Sequence, residues 1–252
     1  RRVGTIARSS SVQLRDYQER AIASVREHYR RGRKRVLLVM ATGGGKTATA
    51  AELMRAAVAR GLRCVFAVHL REVVLDTAER LRREEIACGV VMGEEDACSD
   101  APVQVVSIAT LTRRRVYPQA DLVIIDEAHR AAAESYRALQ QQYPNAWHLG
   151  LTATPMRADG AGLADAFDEI VVGATVAELQ RHGVLVGLDA LVPSSAGKGF
   201  ATTAELAYHE HARTRAAVLF AATVARGREI ATSLALPLIH GGTKSAERDE
   251  SL

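Results

Sequence analysis

Val36-Leu37-Leu38-Val39-Met40-Ala41-Thr42-Gly43-Gly44-Gly45-Lys46-Thr47 is the stretch on which the fold turns. Four aliphatic residues in succession predict a strand buried on both faces, and the run stops at a glycine cluster, which predicts a tight turn. From Lys46 to Arg60 good helix formers follow, ended by Gly61 where a left-handed cap is usual. The unit is strand, glycine loop, helix. Upstream, Tyr17, Ala21, Val25 and Tyr29 recur every four residues with Ile22 beside them, one face of a helix over Asp16 to Arg30. Downstream the alternation continues. Strand-like Cys64–Val68 is followed by a helical pattern over Glu72–Arg83, then by strand-like Val90–Val91, Val103–Val106 and Leu122–Ile125. A helix over Ala131–Gln142 leads to a strand at Trp147–Leu151, then Ile170–Val172 and a helix around Thr175–His182. Apolar runs alternating with helices predict an α/β fold, a parallel sheet covered on both faces.

The glycine loop sits in the context a phosphate-binding loop requires. Glycines let backbone N–H groups approach phosphate, the helix N-terminus adds positive potential, Lys46 is placed to bridge phosphates, and the Thr47 hydroxyl is placed to ligate Mg²⁺. Thr42, Gly43, Gly44, Gly45, Lys46 and Thr47 are therefore the candidate ATP-binding set. The strict GxxxxGK[ST] pattern fails at its first position, Met40. Asp126-Glu127-Ala128-His129 ends the most apolar strand, Leu122-Val123-Ile124-Ile125. In an open α/β sheet ligands bind at the carboxyl ends of the strands, which puts Asp126 in place to hold Mg²⁺ and Glu127 to orient and deprotonate water.

A phosphate loop of the form ATGGGKT, then DEAH, then Thr152-Ala153-Thr154-Pro155 resembles the DEAH-type superfamily 2 helicases. The resemblance implies RecA-like lobes (a P-loop NTPase fold), ATP with Mg²⁺, and sequence-independent binding of nucleic acid, single-stranded DNA above all. It extends to Leu14-Arg15-Asp16-Tyr17-Gln18, which implies that Arg15 and Gln18 recognise adenine. By the same resemblance Arg71, Ser107 and Thr110 are candidate contacts to a nucleic-acid backbone. Thr152 and Thr154 resemble the segment that couples hydrolysis to strand movement, through a hydroxyl of one or the other bonded to His129. Catalytic roles then fall to Lys46, Asp126, Glu127 and His129. Within the superfamily the chain is most similar to RadD-type bacterial DNA-repair ATPases, on Val218-Leu219-Phe220-Ala221-Ala222-Thr223-Val224, Gly242-Thr243 and Glu247-Arg248-Asp249. It departs from them in showing neither a complete second lobe nor the arginine motif that reaches the γ-phosphate, so binding of ATP is expected to exceed hydrolysis.

The expected organisation is a first RecA-like lobe over 12–187, a linker over 188–215 on the Ser/Gly/Thr content of Pro193 to Thr203, and an incomplete second lobe over 216–252. That lobe would begin with a strand at Val218–Ala221 and a helix at Ala225–Ala235. A net charge of +4 and pI near 9.1 suit a polyanionic partner, with Arg30-Arg31-Gly32-Arg33-Lys34-Arg35 and Arg113-Arg114-Arg115 as basic clusters. Aromatics at 4% argue for backbone contact over base stacking, and Trp147 is expected to pack at its strand start. Cys64, Cys88 and Cys98 form no CxxC pair, which points to a reducing cytoplasm and away from disulfides or zinc. His209 and His211 are two apart, which on a helix would point them to different faces, so they make a poor metal pair. No apolar run is long enough to span a membrane. The reading that follows is an ATP-driven motor on DNA, in repair or recombination, with an RNA helicase or a restriction-system motor as same-class alternatives. A small-molecule kinase and an ATP-switched binding module are the alternatives from other classes.

Overall fold

Alternate residues of each strand belong to opposite faces of one sheet. Val36 and Leu38, Cys64 and Phe66, Leu122 and Ile124, Leu149 and Leu151 lie in one core cluster, while Leu37 and Val39, Val65 and Ala67, Val123 and Ile125 lie in the other. Both faces are apolar because both are covered. The chain is seen in a computed structural model that describes residues 13–93, 100–130, 133–154, 163, 166–187, 203–212, 214 and 216–243. In order, the first unit runs α1 (Asp16–Arg30), β1 (Arg35–Met40), α2 (Lys46–Val58), β2 (Cys64–Val68), α3 (Arg71–Arg83), β3 (Cys88–Val91) and β4 (Val103–Ser107). It continues with α4 (Ile108–Arg114), β5 (Leu122–Ile125), α5 (Ala133–Gln142), β6 (Trp147–Thr152), β7 (Glu169–Ala174) and α6 (Val176–Arg181). The strands form a seven-stranded sheet, β3-β4-β2-β5-β6-β1-β7, with every pairing parallel.

Helices α1, α2 and α3 cover the first face with Tyr17, Ala21, Ile22, Val25, Leu53, Met54, Val74 and Leu81; α4 and α5 cover the second with Leu111 and Leu139. The every-four spacing of α1 becomes its buried stripe. Gln18 is the polar residue buried within that stripe, and the site explains it. Phe167 crosses β6 at Gly150, where an added Cβ would lie 2.4 Å from its ring and 2.9 Å from Leu37. Only glycine lets that aromatic ring close the second core.

The chain comprises two compact units, 1–187 and 188–252. In the second, α7 (Ala204–His211) lies inside the stretch expected to be linker, started by a Thr203 hydroxyl that accepts the Leu206 N–H. The sequence reading missed this helix because its apolar stripe is too weak to register as periodicity. Helix α8 (Val224–Leu234) has the same kind of start, with Thr223 accepting from Arg226 N–H. The strand expected at Val218–Ala221 is absent: Val218 is 73% and Phe220 95% exposed, and no described strand pairs with them. An apolar run becomes a strand only where a neighbouring edge takes up its backbone groups. Helix α5 is described from Ala133, beyond a short 3₁₀ turn at Ala128–Arg130; Ala131 and Ala132, where it was expected to begin, lie outside the described residues. Trp147, the first residue of β6, is 36% exposed and has its ring 6.2 Å from that of Tyr29.

Candidate nucleotide site

The carboxyl ends of β1, β6 and β5 lie side by side, since those strands are consecutive neighbours in the sheet. From them emerge the glycine loop, Thr152 and the Asp126–His129 turn. β6 stands between the other two, so the Thr152 hydroxyl is interposed between the phosphate loop and the acidic turn.

The loop is shaped for phosphate. Gly43 and Gly45 hold φ of +81° and +86°, a region that costs a side-chain-bearing residue roughly 1–2 kcal/mol. Gly45 is also the N-cap of α2 and supplies no side chain to it, which leaves the first-turn N–H groups of α2 open toward the loop. Those donors and the helix dipole make an anion cradle. Lys46 Nζ has one long contact, 3.5 Å to the Met40 carbonyl, and the half-buried Thr47 hydroxyl has no hydrogen-bond partner among the described residues. A cation and a hydroxyl with so little local use beside open N–H donors fit Mg·ATP.

Gln18 ties the loop to α1. Its Oε1 accepts the Arg15 N–H at 2.9 Å and its Nε2 donates to the Gly44 carbonyl at 3.1 Å. An added Cβ at Gly45 would lie 2.2 Å from that Nε2. Both ends of the amide are thus engaged in the protein itself. Arg15 is exposed above it and donates to the Tyr17 hydroxyl at 3.1 Å. Two further supports were not legible in the sequence. The Ala41 N–H donates to Ala174 O at the end of β7, and Leu185 packs where a Gly43 side chain would go, 2.9 Å from its Cβ position. Both contacts come from residues far along the chain, and no local pattern marks them.

At β5 the Asp126 N–H donates to Ala67 O, so the turn is anchored to β2. Burial pushes the Asp126 carboxyl above the usual carboxylate range; the Glu127 N–H, donating at 2.9 Å, and the Lys46 charge pull the other way. Glu127 holds φ of +49°, strained for a residue with a side chain. His129 Nδ1 lies 3.0 Å from Thr152 Oγ1 and 3.2 Å from Glu127 Oε2. The Thr152 hydroxyl donates its single hydrogen to Thr154 O at 2.7 Å and accepts from Thr154 N–H at 3.1 Å. Its remaining capacity is as an acceptor, which assigns the proton to Nδ1 of His129. Of the two threonines considered for this bond, Thr152 makes it; Thr154 contributes main-chain atoms.

The candidate nucleic-acid contacts fare differently. Thr110 is buried, and its hydroxyl accepts the Gly93 N–H at 3.0 Å, which braces the exit of β3. Ser107, also buried, pairs with Val68 in the ladder and leads into α4. Both residues are buried at the β4–α4 junction in this structure. The Arg71 side chain, Cys98, and the side chains of Glu210 and His211 lie outside the described residues. Cys64 and Cys88 are free and buried. No group of three or more His, Cys, Asp or Glu residues fit to hold a metal occurs among the described residues, and none of their helices is long and apolar enough to cross a membrane.

A seven-stranded parallel sheet with a glycine loop, an acidic turn and a threonine–histidine bridge at neighbouring strand ends defines a helicase-like ATPase lobe of superfamily 2. The chain belongs to the family described as type III restriction enzyme, res subunit, which it matches over residues 11–157. It is 31% identical over 197 residues to the irc3 protein of Schizosaccharomyces pombe, named as a mitochondrial ATP-dependent helicase, covering 72% of this chain and 32% of that one. It is 29% identical over 150 residues to the DNA 3'-5' translocase XPB2 of Sulfurisphaera tokodaii, covering 59% of this chain and 32% of that one. Among solved structures the UvsW helicase from bacteriophage T4 superposes with a TM-score of 0.55 at 19% identity, covering 64% of this chain and 60% of the other. The chain spans about a third of the length of these two curated relatives.

Proposed function

We propose that this chain is the ATP-binding lobe of a DEAH-type DNA helicase or translocase acting in DNA repair or recombination, with Mg·ATP as its fuel and single-stranded DNA as its track. The observation that carries the proposal is the bridge from His129 to Thr152, with Glu127 on the same Nδ1. A kinase needs the phosphate loop and a metal carboxylate, but it has no use for a histidine that ties the acidic turn to the next strand. Bound nucleotide supplies the phosphoanhydride to be cleaved. Lys46, Thr47 and the N–H groups of α2 would hold its phosphates and metal. Asp126 would hold the metal from the other side, and Glu127 would take the proton of the attacking water. His129 Nδ1, bonded to Thr152, already lies 3.2 Å from Glu127 Oε2. A change at the γ-phosphate that moved Glu127 would therefore shift His129, Thr152 and the chain beyond β6. Arg15 and Gln18 lie at the loop's edge, where they support adenine recognition once Gln18 exchanges its Gly44 contact for the base. Buried Cys64 and Cys88 suit a reducing, cytoplasmic setting.

The test is ATP turnover by the longest natural polypeptide that carries this sequence, with and without single-stranded DNA and RNA. Stimulation by DNA is expected, with Glu127→Gln retaining Mg·ATP binding and losing turnover about 10²-fold or more. Stimulation by RNA alone would make the protein an RNA helicase, and no stimulation by either would leave an ATP-switched binding module. The family match favours one second reading, the motor of a restriction system. That reading requires turnover to depend on an unmodified recognition sequence in duplex DNA.

A further inference from the structure

A cavity of about 250 Å³ opens at the amino end of the sheet, the pole away from the glycine loop. Leu122 and Trp147, the first residues of β5 and β6, and Leu62 ahead of β2 lie at that pole. Tyr29 and Leu53, from α1 and α2, complete an apolar floor. Tyr29 is held in place by its hydroxyl, which donates to His148 O at 3.1 Å, and its ring is tilted by 45° against Trp147. Around this floor stand Arg26, Arg30 and Arg60, and no aspartate or glutamate lines the cavity. Basic residues in the last turn of a helix ordinarily answer the helix dipole. That account covers Arg30, which is also paired with Glu27 at 3.1 Å. It does not reach Arg26, a turn earlier, or Arg60, beyond the end of α2. Neither of those two guanidiniums has an ion pair or hydrogen bond among the described residues.

We infer that this cavity is a docking site for an acidic peptide segment that inserts one large apolar side chain between Tyr29, Trp147 and Leu53 and sets its carboxylates on Arg26 and Arg60. Small-molecule sites usually enclose about 300–1,000 Å³, so this cavity is of side-chain size. Its apolar floor offers nothing to sugar or phosphate, and its cations form a ring around a recess, which is not the track a nucleic-acid backbone follows. Aromatic and arginine side chains around a desolvated pocket are the usual anchors of protein recognition. The position also matters. A partner here leaves the carboxyl ends of the strands clear for nucleotide, so docking and ATP binding are compatible. The inference does not rest on the motor reading.

Trp147 is the chain's single tryptophan, so its emission reports on the cavity directly. The probe is an eight-residue peptide of aspartates and glutamates with one central phenylalanine, titrated into the 252-residue chain and followed also by anisotropy of a labelled copy. A saturable shift in Trp147 emission is expected. Replacing the phenylalanine by alanine, or combining Arg26→Glu with Arg60→Glu, should weaken binding roughly tenfold, and Arg26→Lys with Arg60→Lys should restore part of it. Circular dichroism checks that the variants fold; Arg26 lies on α1 and Arg60 in the turn that follows α2. Absence of a shift at millimolar peptide overturns the inference, as does peptide affinity indifferent to the paired charge reversal. A thymidine oligonucleotide that shifts Trp147 with that same arginine dependence, where the peptide does not, would make the cavity a nucleic-acid site and overturn it too.

Discussion

At the scale of single residues, Asp126 shows how the site trades stability for chemistry. Its side chain is half-buried, and the loss of water around the carboxyl raises its proton affinity. A raised folded-state value means that the folded chain holds this proton where the unfolded chain has lost it. Its stabilising contribution is therefore complete below the unfolded value and is lost as pH rises through the folded one. Asp126→Asn removes the buried charge and keeps the shape. Without nucleotide, its melting temperature should match the parent in acid and exceed it at neutral pH, while the Mg²⁺-dependent part of ATP affinity disappears. The parent should lose that same part of affinity on acidification earlier than an ordinary carboxylate would. Thermal melts across pH and Mg²⁺ titrations of ATP binding check both halves; a melting difference that stays constant with pH would remove burial as its cause.

At the scale of elements, the junction of β1, the glycine loop and α2 was legible because its signals are local: an apolar run, glycines, then helix formers. The strand Leu122–Ile125 was legible to its ends for the same reason. Contacts between distant segments were not. Nothing near Gln18 says that its amide will close on Gly44, and nothing near Thr110 says that its hydroxyl will be spent on Gly93. The apolar run Val218–Ala221 misled because a strand is a property of two segments, of which a sequence displays one. The Gln18–Gly45 contact gives an elemental test. Gly45→Ala must carry a Cβ at φ +86° and push Gln18 Nε2 aside. A loss of about 1–2 kcal/mol from the backbone alone is expected, plus the lost hydrogen bond to Gly44, together about 2–3 kcal/mol. Gln18→Ala removes both the bond and the clash, so the double variant should be less destabilised than the sum of the two single ones by roughly 1 kcal/mol. Denaturant melts of the four proteins measure the cycle, and strict additivity would mean that the amide and the loop do not act on each other.

At the scale of the whole molecule, the distribution of buried apolar residues is lopsided. Both core clusters lie wholly within residues 1–187, as do the glycine loop, the acidic turn and Thr152. Among the described residues of 188–252, Ile230 is the one buried apolar side chain with a volume worth packing. Among its described residues the second unit shows two helices, each with a threonine cap, but capping contributes only about 0.5–2 kcal/mol apiece. Helices whose described residues bury so little apolar surface do not offset the ordering of their own backbone, which requires roughly 1–2 kcal/mol per residue. The two units should therefore separate in experiment. A fragment of residues 1–187 should melt cooperatively and bind Mg·ATP within about twofold of the 252-residue chain, since every group proposed to hold the nucleotide is in it. A fragment of residues 188–252 should show helical content far below that of α7 and α8 and no cooperative transition. Calorimetry and circular dichroism of the two fragments, with a fluorescent ATP analogue for the first, decide the matter. Loss of nucleotide binding in the 1–187 fragment despite a cooperative melt would show that a group beyond Gly187 completes the site, and Arg226 and Arg228 on α8 would then be the first to replace.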